Sequence, residues 1–491
     1  MEGESSMEPS KIAALFVFLV LLPCWALYYT RSGIKSVEGY VFGGRALGPV
    51  ASAFTAATAA TSAGLFVGGA GMAYQYGWGG GTWQIGAAFG VFITWFIVAP
   101  KIREVSHKIK AITTPELFVK RYGSNHFYPI VAFWIVIFTV PMLVVQMRSA
   151  ALTIESYLGL PYVWSLVLFS TVLVIFSSLG GRSAIAYLDT VQGMIMIICV
   201  TVAIIVGLKA VGGISGIDHL LVQQNPSMTS FFGEMPRSLW YNLAFVYLFG
   251  LFSSPHIIPA FYGMKDARTA RLAFPIGVII SLYWTFAAVL IGLVPRALGI
   301  GIETPDKAFA AFITHVAPEI VGMLLVFCLL AAVFTTLDAL LMAAGSSIVH
   351  DIIGRIKGQN FTESEELRYS KIATVVIGLL ALILSGMQMP LITILNAFGF
   401  GAFVIVIGVP MILALFWDKA NREAAYFCTT LGPIIYILWR TYLVKITGLG
   451  ELPGTLLVVL TVSVICSLVK PANNELYFQE YRKTYFNKVG A

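Results

Sequence analysis

Windows of about 20 mostly apolar residues, the length an α-helix needs to cross the hydrocarbon of a bilayer, recur along nearly the whole chain. They fall roughly at 11–29, 47–75, 79–99, 127–156, 162–178, 184–207, 239–260, 271–294, 318–346, 369–387, 390–416, 421–443 and 451–469. No connection between them is long enough to form a soluble domain. Composition agrees, since 58% of the 491 residues are hydrophobic and 11% are charged, against about 25% charged in an ordinary soluble domain. The expected fold class is an all-α polytopic membrane protein with 13 transmembrane helices. The first window lacks a basic leader and a small-residue cleavage site, so 11–29 is read as a retained helix.

Lys and Arg set the orientation, because positive loops stay on the cytoplasmic side. The connections that begin after the first helix, together with the tail, hold 23 of the 31 basic residues, and the opposite set holds 6. The N-terminus is therefore expected outside and the C-terminus inside, in a plasma (cytoplasmic) membrane, and an odd number of helices fits that alternation. These loops account for the net charge of +7, which disfavours nucleic acid as a partner. The five cysteines, Cys24, Cys199, Cys328, Cys428 and Cys466, are scattered without paired spacing and are expected to be small core residues.

Two segments are poor continuous helices. "TAATAATSAGLFVGGAGMAY" (55–74) replaces Leu and Ile with Thr, Ser, Ala and Gly, and "LFGLFSSPHIIPAFYG" (248–263) contains Pro255 and Pro259, each of which removes a backbone donor. Gly and Pro also permit close packing and simple kinks in membrane helices. The two segments open two successive groups of five helices, 47–207 and 239–416, and an odd-numbered group repeated in tandem is inverted in the membrane. Matching broken helices in inverted repeats point to a midplane transport site. The expected organisation is an N-terminal extra helix and cytoplasmic linker (1–46), repeat 1 (47–207), an extracellular connection (208–238), repeat 2 (239–416), two peripheral helices (417–469) and a cytoplasmic tail (470–491).

In "LLAAVFTTLDALLMAAGSS" (329–347), adjacent threonines and a carboxylate interrupt an apolar helix. A hard cation needs several oxygen ligands, and neutral hydroxyls and carbonyls supply them without excess buried charge. Thr335 and Thr336 offer two hydroxyls, Ala332 a carbonyl on the same face, and Thr58 and Thr61, beside the expected break, carbonyls from across the site. The competing reading has each hydroxyl bonding the carbonyl four residues earlier in its own helix.

"GYVFGGRALGP", "GGRSAIAYLDTVQG" (180–193), "SSPHII" (253–258) and "AAVFTTLDALLMAAGSSIVHDI" (331–352) resemble, in order and spacing, the signature regions of the sodium/solute symporter family. The resemblance covers most of the chain. It implies a five-plus-five inverted-repeat (LeuT-like) core with one extra N-terminal and two extra C-terminal helices. It also implies a sodium site formed by the carbonyls of Thr58, Thr61 and Ala332 and the hydroxyls of Thr335 and Thr336. Relatives carry Ser-Thr or Ser-Ser at 335–336, so both hydroxyls survive here. Proline-type members have an aspartate at the position of Ala60 and, like pantothenate-type members, an arginine shortly after Pro-His, where this chain has Pro259-Ala260.

An ionised aspartate at mid-membrane costs about 2.5–3.5 kcal/mol on insertion scales, so Asp189 and Asp338 call for a shared explanation. In sialic-acid-type relatives, the aspartate matching Asp189 joins serines of the ninth helix in a second sodium site, and Asp338 takes the place of one of those serines. A second cation or proton position near Asp189 and Asp338 is therefore expected. The alternative is that Asp338 caps a local bend or pairs with a structural base, while Asp189 is wetted on the cytoplasmic path. Arg148 either binds a solute carboxylate through its guanidinium fork, pairs with Glu155, or faces an outer vestibule, while Arg440 is expected to snorkel to an interface. His256 is either a hydrogen-bonded core residue or a solute contact. Ser62, Gly64, Gln146, Tyr247, Ser253 and Ser254 complete the candidate solute-binding set.

The function these features imply is sodium-coupled symport of a small organic solute, with carboxylate-bearing solutes (pantothenate, a monocarboxylate or an amino acid) favoured. Sodium is a co-transported ion, not a catalytic cofactor; the other partners are the solute and the bilayer, and the unit is a monomer. A proton-coupled or sugar-type symporter of the same fold, or a transport-derived nutrient sensor, is the alternative. An intramembrane enzyme is disfavoured, since the chain lacks an Asp-rich metal motif, paired histidines and a Gly-x-Ser-x-Gly elbow.

Overall fold

A bilayer offers no water to backbone N–H and C=O groups, so each spanning segment must pair them internally. In the computed structural model, which describes residues 15–21, 24–25, 28, 47–109, 111, 113–356, 361–387 and 391–472, the chain meets this demand with helices, joined by one isolated bridge between Leu47 and Met264. Of window 11–29, residues 11–14, 22–23, 26–27 and 29 lie outside the described residues, as do the linker 30–46 and the tail 473–491.

The helices are α1 (Pro49–Ala60), α2 (Gly64–Tyr76), α3 (Gly79–Ser106), α4 (Thr114–Tyr122), α5 (Phe127–Leu158), α6 (Tyr162–Leu179), α7 (Leu188–Val211) and α8 (Ile214–Gln224). They continue with α9 (Arg237–Ser253), α10 (Ile258–Tyr262), α11 (Arg268–Ala297), α12 (Glu319–Ile353), α13 (Ser364–Ser385), α14 (Ile392–Phe416), α15 (Arg422–Thr447) and α16 (Glu451–Val469). Ten of them are long and apolar enough to cross a membrane, and eleven spans result if the bent pair α1–α2 counts as one. The span at 239–260 is divided, as its prolines lead one to expect: α9 has 17 residues and is followed by the short α10. Helix α6 runs on into α7 with continuous helical backbone over 50 residues, more than twice the roughly 20 that one crossing needs.

The most enclosed spans are α14 and α12, of whose most apolar stretches 83% and 78% are buried inside the protein. Helix α12 carries the paired threonines. It packs against α5, the α6–α7 helix, α13 and α1. Glycines set the closest crossings, because a side chain there would strike backbone. A Cβ on Gly86 of α3 would lie 2.0 Å from the Ala244 carbonyl oxygen of α9, and one on Gly292 of α11 would lie 2.0 Å from that of Ala70 in α2.

Two arginines counted as loop charges at the basic end have structural tasks. Arg121 is fully buried and donates to the carbonyls of Ala414, Trp417 and Ala420, while Arg103 donates to those of Met264 and Lys265. Each satisfies carbonyls that a helix end leaves without acceptor bonds. Arg440 pairs with Glu451 at 2.9 Å and lies over the Phe398 ring, because the start of α16 brings a carboxylate beside it. Cys199, Cys328 and Cys428 are buried as expected, but Cys24 is exposed and Cys466 half-buried.

Candidate functional site

The sequence ATSAG at 60–64 interrupts the helix where expected. Helix α1 ends at Ala60, Thr61 is extended (φ −97°, ψ 91°), and α2 leaves at 54° to α1. The Thr61 N–H still bonds the carbonyls of Ala57 at 2.9 Å and Thr58 at 3.1 Å. Ser62 then caps the second half, its hydroxyl accepting from Gly64 N at 3.0 Å, as a short side chain does at a helix start. The N–H of Ala63 is satisfied from another helix, by Gln146 Oε1 of α5 at 3.0 Å. Segment 248–263 breaks as well: α9 stops at Ser253, Ser254 is extended, and α10 resumes at Ile258.

The two threonines of α12 face the first break. Thr335 Oγ1 lies 3.4 Å from the Thr58 carbonyl oxygen and 3.2 Å from that of Ala332, and Thr336 Oγ1 lies 3.4 Å from the same Thr58 oxygen. All three threonines are buried. Thr58 spends its own hydroxyl on the Phe54 carbonyl at 2.7 Å, the local bond common for Thr in helices, which leaves its carbonyl as the shared group. Hydroxyl hydrogen bonds normally measure about 2.5–3.0 Å, so 3.4 Å is long for one. Two oxygens that ligate one small hard cation at right angles, each about 2.4 Å from it, stand about 3.4 Å apart.

Asp338, one turn beyond Thr335, is buried and accepts a short bond from the Ser177 hydroxyl of α6. Asp189 is buried at the start of α7, one turn before Gly193. At Gly193 a Cβ would lie 3.3 Å from Thr58 Cγ2, so the Asp189 face of α7 continues onto the Thr58 face of α1. Gln192, beside it, is fully buried, and neither of its amide atoms has a partner among the described residues.

Beyond the break lies a cluster of buried polar groups among aromatic rings. Asn396 of α14 donates to the Tyr247 hydroxyl at 3.0 Å, and the Tyr247 ring packs between Trp83 (5.0 Å) and Phe400 (5.4 Å). Gly64 touches Asn396 so closely that a Cβ there would lie 2.3 Å from its Nδ2. Gln146 Nε2, Asn396 Oδ1, Trp83 Nε1 and both amide atoms of Gln84 are buried without partners among the described residues. Buried polar atoms are nearly always bonded, so this concentration suits a polar ligand or water. His256 is fully buried with its ring edge-on to Phe400.

The remaining candidates have other contacts. Ser253 and Ser254 return their hydroxyls to the carbonyls of Phe249 (2.6 Å) and Gly250 (2.7 Å). Arg148 is half-buried and acts electrostatically on Tyr162 and Asp306, at the end of the protein opposite the buried Arg103 and Arg121. The Tyr162 hydroxyl itself donates to the Ser385 carbonyl at 2.8 Å. Glu155 accepts from the Tyr162 N–H at 3.2 Å. Sequence reasoning missed Trp83, Gln84, Ser177, Gln192 and Asn396. An amide inside an apolar span, as in "TWQIG" and "ILNAF", is itself a signal, since polar groups there are costly and seldom idle.

A sequence profile of the sodium:solute symporter family matches residues 40–432. The chain is 26% identical to the osmoregulated proline transporter OpuE of Bacillus subtilis, covering 93% of this chain and 94% of that protein. It is 25% identical to the sodium/pantothenate symporter of Escherichia coli, covering 92% and 95% respectively, and 27% identical to a sodium/proline symporter of Staphylococcus aureus, covering 94% and 92%. Among solved structures, a Na+-coupled sialic acid symporter in a substrate-bound, outward-open state superposes with a TM-score of 0.77 at 17% identity, covering 94% of this chain and 97% of that one. A nucleobase-cation-symport-1 family transporter in a closed conformation gives a TM-score of 0.61 at 12% identity, covering 90% and 97%. These likenesses carry the fold, and the profile spans most of the chain's length: the protein is a multi-pass membrane transporter, not an enzyme, and it belongs to the sodium:solute symporter family.

Proposed function

We propose that this protein couples inward sodium movement to the import of a small carboxylate-bearing solute by alternating access. The observation that carries the reading is the pair of α12 hydroxyls, Thr335 and Thr336, each 3.4 Å from the Thr58 carbonyl at the break in α1–α2. With the carbonyls of Thr61 and Ala332 they form an oxygen cage suited to sodium, the ion of the family to which the chain belongs. A second cation or proton occupies the region of Asp189 and Asp338.

In this reading the groups 47–207 and 239–416 are inverted repeats, the N-terminus lies outside and the tail is cytoplasmic. Sodium bound between α1 and α12 holds the unwound segment in shape for the solute, so each ligand raises the affinity for the other. Inward movement of one sodium ion releases about 2.3 kcal/mol per 100 mV, and a tenfold gradient adds about 1.4 kcal/mol. Their sum, about 3.7 kcal/mol, sustains accumulation of a few hundredfold.

Three neutral donors, Gln146 Nε2, Gln84 Nε2 and Trp83 Nε1, are available to a carboxylate at the polar cluster. Arg148, electrostatically coupled to Tyr162 and Asp306, serves the approach to the cluster. Uptake into proteoliposomes tests the proposal, with L-proline, pantothenate, pyruvate, sialic acid and glucose as solutes. Accumulation of one of the first three that collapses without a sodium gradient is expected. Gradient-independent equilibration of all five would overturn it.

A further inference from the structure

The break between α1 and α2 exposes the N–H groups of the first turn of α2, which have no acceptors in their own helix. Ser62 supplies one acceptor from within the turn. Another comes from α5, where Gln146 Oε1 accepts from Ala63 N at 3.0 Å. Gln146 is fully buried, so water does not compete for this bond. The other end of the same amide, Nε2, is also buried and has no partner among the described residues.

These two facts belong together. A primary amide is planar, with an acceptor at one corner and donors at another, so fixing Oε1 on the Ala63 N–H restricts where Nε2 points. An unpaired buried donor is costly, and the cost disappears when a ligand oxygen arrives. Ala63 stands two residues after Thr61 and five after Thr58, whose carbonyl is the oxygen shared by Thr335 and Thr336.

We propose that Gln146 is a positioning residue that links the two transported species. Its Oε1 holds the unwound segment in the form that presents the Thr58 carbonyl to α12, and its Nε2 donates to a carboxylate oxygen of the bound solute. Sodium binding steadies the backbone to which the amide is anchored. The anchored amide is then aimed at the solute, and by reciprocity the solute strengthens the anchor. The inference rests on the sodium-symport reading above and adds the physical connection between its two ligands.

Two substitutions separate the ends of the amide. Gln146→Glu keeps an acceptor for Ala63 N and removes the donor, whereas Gln146→Leu removes both. Radioactive sodium binding to the purified protein without solute reads the first end, and the KM for sodium-driven uptake of L-proline and of pantothenate reads the second. Gln146→Leu is expected to raise the sodium half-saturation concentration about tenfold, the equivalent of about 1.4 kcal/mol, while Gln146→Glu stays within about twofold of native. Both are expected to raise the solute KM about tenfold or more. Gln146→Asn, whose amide is one methylene too short to reach Ala63, should reproduce the sodium defect if the leucine variant does not fold. Absence of saturable sodium binding by the native protein would overturn the symport reading and this inference with it. Saturable binding that Gln146→Leu, or Gln146→Asn in its place, leaves unaltered would overturn the inference alone, as would a native solute KM in Gln146→Glu.

Discussion

The hydroxyl of Thr335 and the carbonyl of Thr58 meet across two helices that are 277 residues apart in the chain, at 3.4 Å. Thr335 also reaches the Ala332 carbonyl three residues back, not the one four back that a threonine in a regular helix usually takes. The site joins a regular helix to an interrupted one. The regular helix supplies side-chain oxygens, and the interrupted one supplies a carbonyl with bonding capacity to spare.

Replacing Thr336 by Val keeps the shape and removes one oxygen. Loss of one interaction with a charged partner is worth about 1.5–3 kcal/mol, so the sodium concentration for half-maximal uptake should rise about 10- to 100-fold. Thr336→Ser, which keeps the oxygen, should remain near native. An unchanged sodium dependence in the valine variant would remove Thr336 from the cation cage.

Asp338 lies within the membrane-spanning α12 and is bonded by Ser177. If the carboxylate serves a second cation, Asp338→Asn should lower the Hill coefficient for sodium from about two towards one, the coefficient being bounded by the number of sites. If it serves a proton, the same variant should flatten the pH dependence of uptake. A variant that alters neither quantity would return Asp338 to a structural role.

Asp306 lies between spans, where its carboxylate accepts from Ile392 N at the start of α14 at 3.2 Å. Burial pushes its pKa above the ordinary 3.8, against the lowering effects of the Ile392 bond and of Arg148. A carboxyl group with a raised folded-state pKa binds more protons folded than unfolded. Its contribution to stability is therefore fully present below pH 3.8 and is lost as the pH climbs through the raised value. Asp306→Asn keeps an acceptor for Ile392 N and cannot ionise, so its thermal midpoint should fall less steeply with rising pH in that window. Parallel pH profiles for the native protein and the variant would count against this account.

Gly64 has no room for a side chain, because a Cβ would lie 2.3 Å from Asn396 Nδ2. Gly64→Ala should displace that amide from Tyr247 and raise the solute KM about tenfold, the scale of one lost polar contact. Sodium binding measured without solute should change by less than about twofold, since the altered contact is not part of the cation cage. A native solute KM would show that the Asn396–Tyr247 pair is not part of the solute site.

By itself the sequence determined that the protein is a bundle of membrane-crossing helices, because some twenty apolar residues in succession have one low-energy arrangement in a bilayer. It also located both interruptions, since residues rich in Gly and Ser, or carrying Pro, cannot keep helical hydrogen bonds continuous. The facing pair Thr335 and Thr336 was legible as an oxygen source for the same local reason. The tertiary structure decided what those oxygens face. Gln146 on Ala63, Ser177 on Asp338, Glu451 on Arg440 and the grouping of Gln84, Trp83 and Asn396 each join helices remote in sequence. No local pattern encodes such contacts. Composition and periodicity tell which groups must be satisfied, and only packing selects the partner that satisfies them.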